Sequence, residues 1–320
     1  MVSPTNNRIK VVRLGFMKYG HADMETTKQF MADFGMHIEA EDDDTVYFGG
    51  TGIDPYVYAA QKTATPEFQG GVFIAASRDE LEKAARVLPD AKGPFKLKGP
   101  GGGEMVSSID PDGIPFHIAY GIKEREDVEP GLKRSANRPI VKTRKGEFLR
   151  FTDEPARAHK LGHFGLLVSD FHKTFDFYTK HLTIKPSDIL ITEDGKQVAG
   201  FCHFETDATH YVDHHAFFFS QNVKRIGVHH CSFEVQDMDT QMMGHRWLES
   251  KGYTSSWGVG RHILGSQLFD YWFQPEGKFM IEHYADGDVV NDSHVTGTLP
   301  ASDEALAVWG PAVPEGFLDD

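Results

Sequence analysis

Cysteine is nearly missing from this chain: Cys202 and Cys231 are the only two in 320 residues. That excludes a disulfide framework and a cysteine-based zinc site, and it fits a reducing compartment. Long apolar runs are missing as well. No stretch approaches the roughly 20 residues needed to cross a bilayer, and the opening "MVSPTNNRIKVVRLGF" lacks the apolar core of a signal peptide. A soluble, cytoplasmic protein is expected. Positive charge is in short supply, with 33 Lys and Arg against 47 Asp and Glu and a net charge of −14. Neither nucleic acid nor an acidic membrane surface is therefore an expected partner. "GPGGGE" at 99–104 lacks the Lys-Ser/Thr ending of a phosphate loop and reads as a turn, as does the solvated "DDD" at 42–44. No nucleophile elbow or dinucleotide fingerprint occurs. A small-molecule substrate remains, and the one abundance is histidine, at 17 residues.

Four segments share one pattern, a short apolar strand, an amphipathic helix of about three turns, then two or three strands with Gly-rich turns. They begin at "VVRLGFMKYGH", "GGVFIAASRDE", "LGHFGLLVSDF" and "VHHCSFEVQDM". The closing turns repeat too, "DPDGIPFHIAYG" at 110–121 and "QPEGKFMIEHYADG" at 274–287. The predicted fold class is α+β: two domains, each a pair of βαβββ modules forming an open, barrel-like mixed sheet with helices outside. The expected layout is an N-terminal pair over 1–125, a charged, apolar-poor linker over 126–156, a C-terminal pair over 157–290, and a tail over 291–320 that packs on the body through Trp309 and Phe317. Asp237 or Asp239 is expected to cap the helix beginning at "DMDTQMM".

Strand parity selects side chains for the free sheet face, since neighbours on a strand point to opposite sides. In "VHHCSFEV", His229, Cys231, Phe233 and Val235 make an apolar face, leaving His230 with Val228, Ser232 and Glu234. In "LGHFGLLV", His163 lies opposite Gly162, Phe164, Leu166 and Val168. In "FMIEHYA", Glu282 lies opposite Phe279, Ile281 and Ala285. Two imidazoles and one carboxylate on three strands match the facial triad of non-haem Fe(II) oxygenases, which leaves positions open for a bidentate substrate and O₂. On residue type alone, each histidine reads first as a hydrogen-bonded structural residue.

"LGHFGLLVSD…FYTKHL", "VHHCSFEV" and "GRHILGSQLFDYW…GKFMIEHYADGD" resemble the vicinal oxygen chelate superfamily, in particular its type I extradiol catechol dioxygenases. The resemblance is dense over about 157–288 and extends to the first half only as module pattern. It implies Fe(II), with Mn(II) as the alternative, held by His163, His230 and Glu282, and it takes the second histidine of the doublet, leaving His229 as a neighbour. It further implies that His215 is the acid/base, although parity does not separate it from His214. His262 of "GRH" would contact substrate or oxygen, and Tyr271 would be the active-site tyrosine. After "GRH", where many biphenyl-type members carry Asn-Asp, this chain has Leu264 and Gly265, closer to the trihydroxytoluene-oxygenase-like branch. The implied activity is ring cleavage of a catechol-like or trihydroxylated aromatic with O₂, as in aromatic catabolism, by a homo-oligomer. Two alternatives share the modules: a ketoacid oxygenase like 4-hydroxyphenylpyruvate dioxygenase, and a non-catalytic binding protein of the bleomycin-resistance type. The first half is expected to be a degenerate, metal-free copy, with Gly15 at the position of His163, glycine or valine at that of His230, and His117 near that of Glu282.

Overall fold

The computed structural model describes residues 7–126, 128, 131 and 134–317. Parts of three expected segments lie outside the described residues: 1–6 of the first domain, 127, 129–130 and 132–133 of the linker, and 318–320 of the tail.

The N-terminal half runs β1 (Val11–His21), α1 (Met24–Asp33), β2 (His37–Glu41), β3 (Thr45–Gly49) and β4 (Tyr58–Lys62), then β5 (Glu67–Ala75), α2 (Arg78–Val87), β6 (Lys92–Lys96), β7 (Glu104–Ile109) and β8 (Pro115–Tyr120). The C-terminal half repeats it with β9 (Leu161–Val168), α3 (Phe171–His181), β10 (Ile184–Ile191), β11 (Gln197–Phe204), a two-residue β12 (Val212–Asp213) and β13 (Phe217–Gln221). Its second module is β14 (Gly227–Glu234), α4 (Met238–Ser250), β15 (Thr254–His262), β16 (Leu268–Phe273) and β17 (Met280–Ala285). Three short strands follow, β18 (Val289–Val290), β19 (Gly297–Pro300) and β20 (Ala307–Trp309).

Each half folds into one mixed sheet, ordered β2-β3-β4-β1-β5-β8-β7-β6 in the first and β10-β11-β13-β9-β14-β17-β16-β15 in the second. The two modules of a half meet at a central antiparallel pair, β1 with β5 and β9 with β14. The tail contributes strands that apolar periodicity does not reveal: β19 joins β10 at one edge and β20 joins β15 at the other. Trp309 is 42% exposed, whereas Phe317 packs against Trp257 and Tyr271.

Helix starts follow local chemistry. Asp23, Ser77, Asp170 and Asp237 each accept a hydrogen bond from a first-turn amide, which settles the α4 cap on Asp237 rather than Asp239. Apolar residues of the helices, such as Phe30, Leu81, Tyr178 and Leu248, join strand residues of both halves in a single core. Phe73 of β5 lies 5.7 Å from Phe164 of β9 and 5.6 Å from Phe217 of β13, ring centre to ring centre. The helix-packed faces of the sheets thus meet one another, and the concave faces stay free.

The repeated Pro-acidic-Gly turns clasp the halves reciprocally. Glu276 accepts from the amides of Ala22 (2.5 Å) and Asp23 (2.8 Å), at the start of α1, and its second oxygen lies 3.1 Å from His21 Nδ1. Asp112 accepts from the Ser169 amide (2.8 Å) and hydroxyl (2.5 Å), just before α3. Each turn accepts from backbone amides at or just before a helix N-cap, Asp23 in one case and the residue preceding Asp170 in the other. Among the described residues, no helix is long and apolar enough to cross a membrane.

Candidate metal centre

Sheet register brings three side chains of the C-terminal half together. Ser232 of β14 pairs with His163 of β9 on one side and with Glu282 of β17 on the other, while His230 pairs with Gly165 and Met280. His163 and Glu282 therefore flank β14 at one level, and His230 stands two residues along on the same concave face. His163 Nε2 lies 3.0 Å from His230 Nε2 and 3.1 Å from a Glu282 oxygen, which is 3.4 Å from His230 Nε2. Gly165 gives the cluster its packing: a Cβ there would fall 1.7 Å from the ring of Phe218, which packs beside His230.

These three residues form the one group of His, Cys, Asp and Glu found with convergent ligand atoms among the described residues. Glu282 is fully buried and neither carboxylate oxygen accepts a hydrogen bond. An ionised carboxylate so placed costs several kcal/mol unless a cation faces it. Burial, and then the neighbouring imidazoles, hold the His230 pKa well below the ordinary value, so the ring is neutral and offers a lone pair. Two imidazole nitrogens and a carboxylate oxygen pointing at one spot form a donor set that fits a divalent Fe(II) or Mn(II) ion.

The other expected site residues surround this cluster. The His215 ring centre lies 4.4 Å from that of His163; burial, followed by the charges of His163, His214 and His262, lowers its pKa strongly. His214 points outward, with Nε2 2.8 Å from an Asp188 oxygen and Nδ1 3.1 Å from His215 Nδ1. The structure thus separates a pair that parity leaves equivalent. His262 donates from Nδ1 to the Leu306 carbonyl (2.8 Å), so its Nε2 accepts from the Tyr271 hydroxyl (2.9 Å). The same nitrogen lies 3.9 Å from Glu282, and Tyr271 packs edge-on against His230 at 5.1 Å. Burial first, and Glu282 second, raise the Tyr271 pKa well above its usual value, keeping the hydroxyl protonated.

His229 departs from its expected position. Strict alternation puts it with Cys231 and Phe233 on the helix-packed face, but β14 carries an irregularity between Val228 and His230 that adds a residue to the ladder. Cys231 and Phe233 do lie in the shared core. His229 instead stays beside His230, Nδ1 to Nδ1 at 2.7 Å, and its Nε2 donates to the Phe317 carbonyl at 2.6 Å. Burial pushes its pKa down to about 4. Neither Phe317 nor Leu306 is legible as a site residue, because each acts through a backbone carbonyl that every residue type shares.

Beside the cluster is a cavity of about 730 Å³ whose wall includes Ser256, Phe273, Met280 and Phe317. Met280 neighbours His230 in register, and Phe317 lies 5.1 Å from Tyr271, so these two stand between the cavity and the cluster. None of His163, His215, His230, His262, Tyr271 and Glu282 lines that cavity.

In the first half, counting back from the capping aspartates puts Phe16, rather than Gly15, at the position of His163. His117 bonds through both ring nitrogens, to Ser107 Oγ (2.8 Å) and the Gln69 carbonyl (2.7 Å), leaving neither available as a ligand.

Residues 160–281 match the Glyoxalase/Bleomycin resistance protein/Dioxygenase superfamily. Metapyrocatechase 2 of Cupriavidus necator is 31% identical over 213 residues, covering 66% of this chain and 62% of that protein, so the match spans less than two thirds of the relative. Homoprotocatechuate 2,3-dioxygenase of Arthrobacter globiformis superposes with a TM-score of 0.81 at 16% identity, covering 99% of this chain and 93% of that one. The Mn(II)-bound glyoxalase of Novosphingobium aromaticivorans gives 0.75 at 22% identity, covering 95% and 93%. At those identities the two structures speak to the fold. Three strands of one sheet carrying an inward His-His-Glu set, on this duplicated module plan and within the matched region or at its edge, identify the C-terminal half of the chain as a domain of the glyoxalase/bleomycin resistance protein/dioxygenase superfamily, also called the vicinal oxygen chelate superfamily.

Proposed function

We propose that the chain is an extradiol dioxygenase that opens the ring of a catechol-like or trihydroxylated aromatic with O₂ at a mononuclear Fe(II) held by His163, His230 and Glu282. The observation that carries this reading is Glu282, buried, without a hydrogen-bond donor, and facing two imidazole nitrogens. A metal-free binding protein would leave that carboxylate uncompensated. The 31% identity to a metapyrocatechase favours ring cleavage over a ketoacid reaction.

Bound at this site, the iron would supply redox chemistry between the diol and O₂, and Mn(II) suits the same ligands. The protein's own groups do the rest. His215, kept neutral by burial and tilted against the His163 ring, would take the proton of one diol hydroxyl and later return it. Tyr271 keeps its hydroxyl proton, which is given to His262 Nε2 in the resting site and would turn toward negative charge developing on a bound substrate. The first half serves as a metal-free packing partner. Assembly into a homo-oligomer is part of the proposal, supported by the exposure of Ile140 (95%) and Phe148 (76%); sedimentation measures it, and a monomer at all concentrations refutes it.

The test is anaerobic Fe(II) loading followed by O₂ uptake across catechols and trihydroxybenzenes, watching for a coloured ring-opened product. Uptake that is absent from the His230→Ala variant supports the reading; no uptake with any diol by the iron-loaded wild type sinks it.

A further inference from the structure

The notion of His229 as a mere neighbour does not survive its hydrogen bonds. We infer that His229 is a positioning residue that fixes the tautomer of the ligand His230 and ties the metal centre to the C-terminal segment at Phe317, an inference that rests on the metal-centre reading above.

A carbonyl oxygen can only accept, so the 2.6 Å contact between His229 Nε2 and Phe317 O requires the proton on Nε2. A neutral imidazole has one N–H, so His229 Nδ1 presents a lone pair. That lone pair faces His230 Nδ1 at 2.7 Å. Two lone pairs at that distance would repel, so His230 carries its proton on Nδ1 and donates it. Its Nε2 is then bare, and that is the atom 3.0 Å from His163 Nε2 and 3.4 Å from Glu282. The order runs in one direction, from the Phe317 carbonyl through both rings to the ligand atom. The opposite tautomer would put a proton where a cation is to be held.

Both rings are buried, so bulk water does not take over either bond. The device depends on the irregularity in β14, because regular alternation would send the two rings to opposite faces. The second doublet repeats the arrangement: an oxygen of Asp188 anchors His214 Nε2, and His214 Nδ1 meets His215 Nδ1. In each doublet the outer ring is held by an oxygen and the inner ring faces the site.

The experiment uses the full chain labelled with ¹⁵N at histidine, and Mn(II) and Zn(II) as metal probes. In the metal-free protein, long-range ¹H–¹⁵N spectra should show His229 as the Nε2–H form and His230 as the Nδ1–H form. His229→Phe keeps ring volume but removes the acceptor, and should weaken Mn(II) binding roughly 10- to 100-fold, the usual scale for a residue orienting a ligand. His229→Asn, whose amide oxygen can stand in for Nδ1, should restore most of that loss. Finding His230 protonated at Nε2, or His229→Phe binding Mn(II) as tightly as wild type, overturns the inference. If wild type binds neither Mn(II) nor Zn(II), the metal-centre reading is what fails, and the wild-type tautomers still decide this inference.

Discussion

Seven residues before the aspartate that caps its first helix, the N-terminal half carries Phe16 and the C-terminal half His163. The backbones around the two positions follow one plan, with the same strand order and the same central antiparallel pair. Their concave floors differ. In the first half Phe16, Tyr47, Tyr56, Val72, Met105 and Ala119 form an apolar cluster. In the second, the floor holds buried histidines and a carboxylate without donors. The fold forms with either floor, so the polar one is not there for stability; in the absence of a cation it costs stability.

The largest expected effect separates the floors outright. Glu282→Gln should abolish Fe(II) retention, whereas His117→Ala should leave one iron per chain by metal analysis. A second metal equivalent lost on His117→Ala would break the contrast. In metal-free protein, Glu282→Gln should raise stability by about 1–3 kcal/mol, since it removes a buried carboxyl group whose oxygens have no hydrogen-bond partner; a lowered melting temperature would show the carboxyl group to be compensated.

Next in size are the clasps. Glu276→Ala removes the acceptor for two amides and a contact to buried His21, and should cost about 2–4 kcal/mol in urea unfolding. Asp112→Ala removes two bonds to exposed Ser169, with no buried partner like His21, and should cost about 1 kcal/mol. Equal losses would make the clasps symmetric in energy as well as in sequence.

The smallest effect concerns the residue before each turn, Asp110 in one half and Gln274 in the other. Burial raises the Asp110 pKa from 3.8 to about 6, against the pull of the Ile114 and Asp112 amides. The folded state therefore binds more protons than the unfolded chain between pH 4 and 6, and this group's contribution to stability falls as pH rises across that window. Asp110→Asn makes the halves alike and keeps an amide-accepting oxygen. It should be near neutral at pH 4 and stabilising by about 1–2 kcal/mol at pH 7.5. A gain independent of pH would refute the titration.

Much of this was legible in residue types. The repeated turns and the alternation in β9 and β17 place His163 and Glu282 on the concave face without reference to coordinates, and residue type narrows the α4 cap to Asp237 or Asp239. Alternation fails at β14 because a bulge changes which side a residue faces without calling for a particular side chain. That is why His229 reads as a core residue in the sequence and stands beside His230 in the structure. The tail's part was illegible for a different reason: Leu306 and Phe317 contribute carbonyls, and β19 and β20 are four and three residues long, too short to show a period.

The central pair β9–β14 is a seam between modules, with His163 on one side and His230 and Glu282 on the other. Neither module alone possesses a site. In a duplicated chain this makes the centre asymmetric in its history: a single substitution on either side of the seam would abolish it. Regaining it on the β1–β5 seam would require an imidazole in place of Phe16, another in place of Gly70, a carboxylate in place of His117 on β8, and clearance of the packed aromatics, all at once. A floor packed with phenylalanine and tyrosine has therefore, in mutational terms, little way to such a site, while the proposed metal-binding floor would lose its ligand set by one substitution.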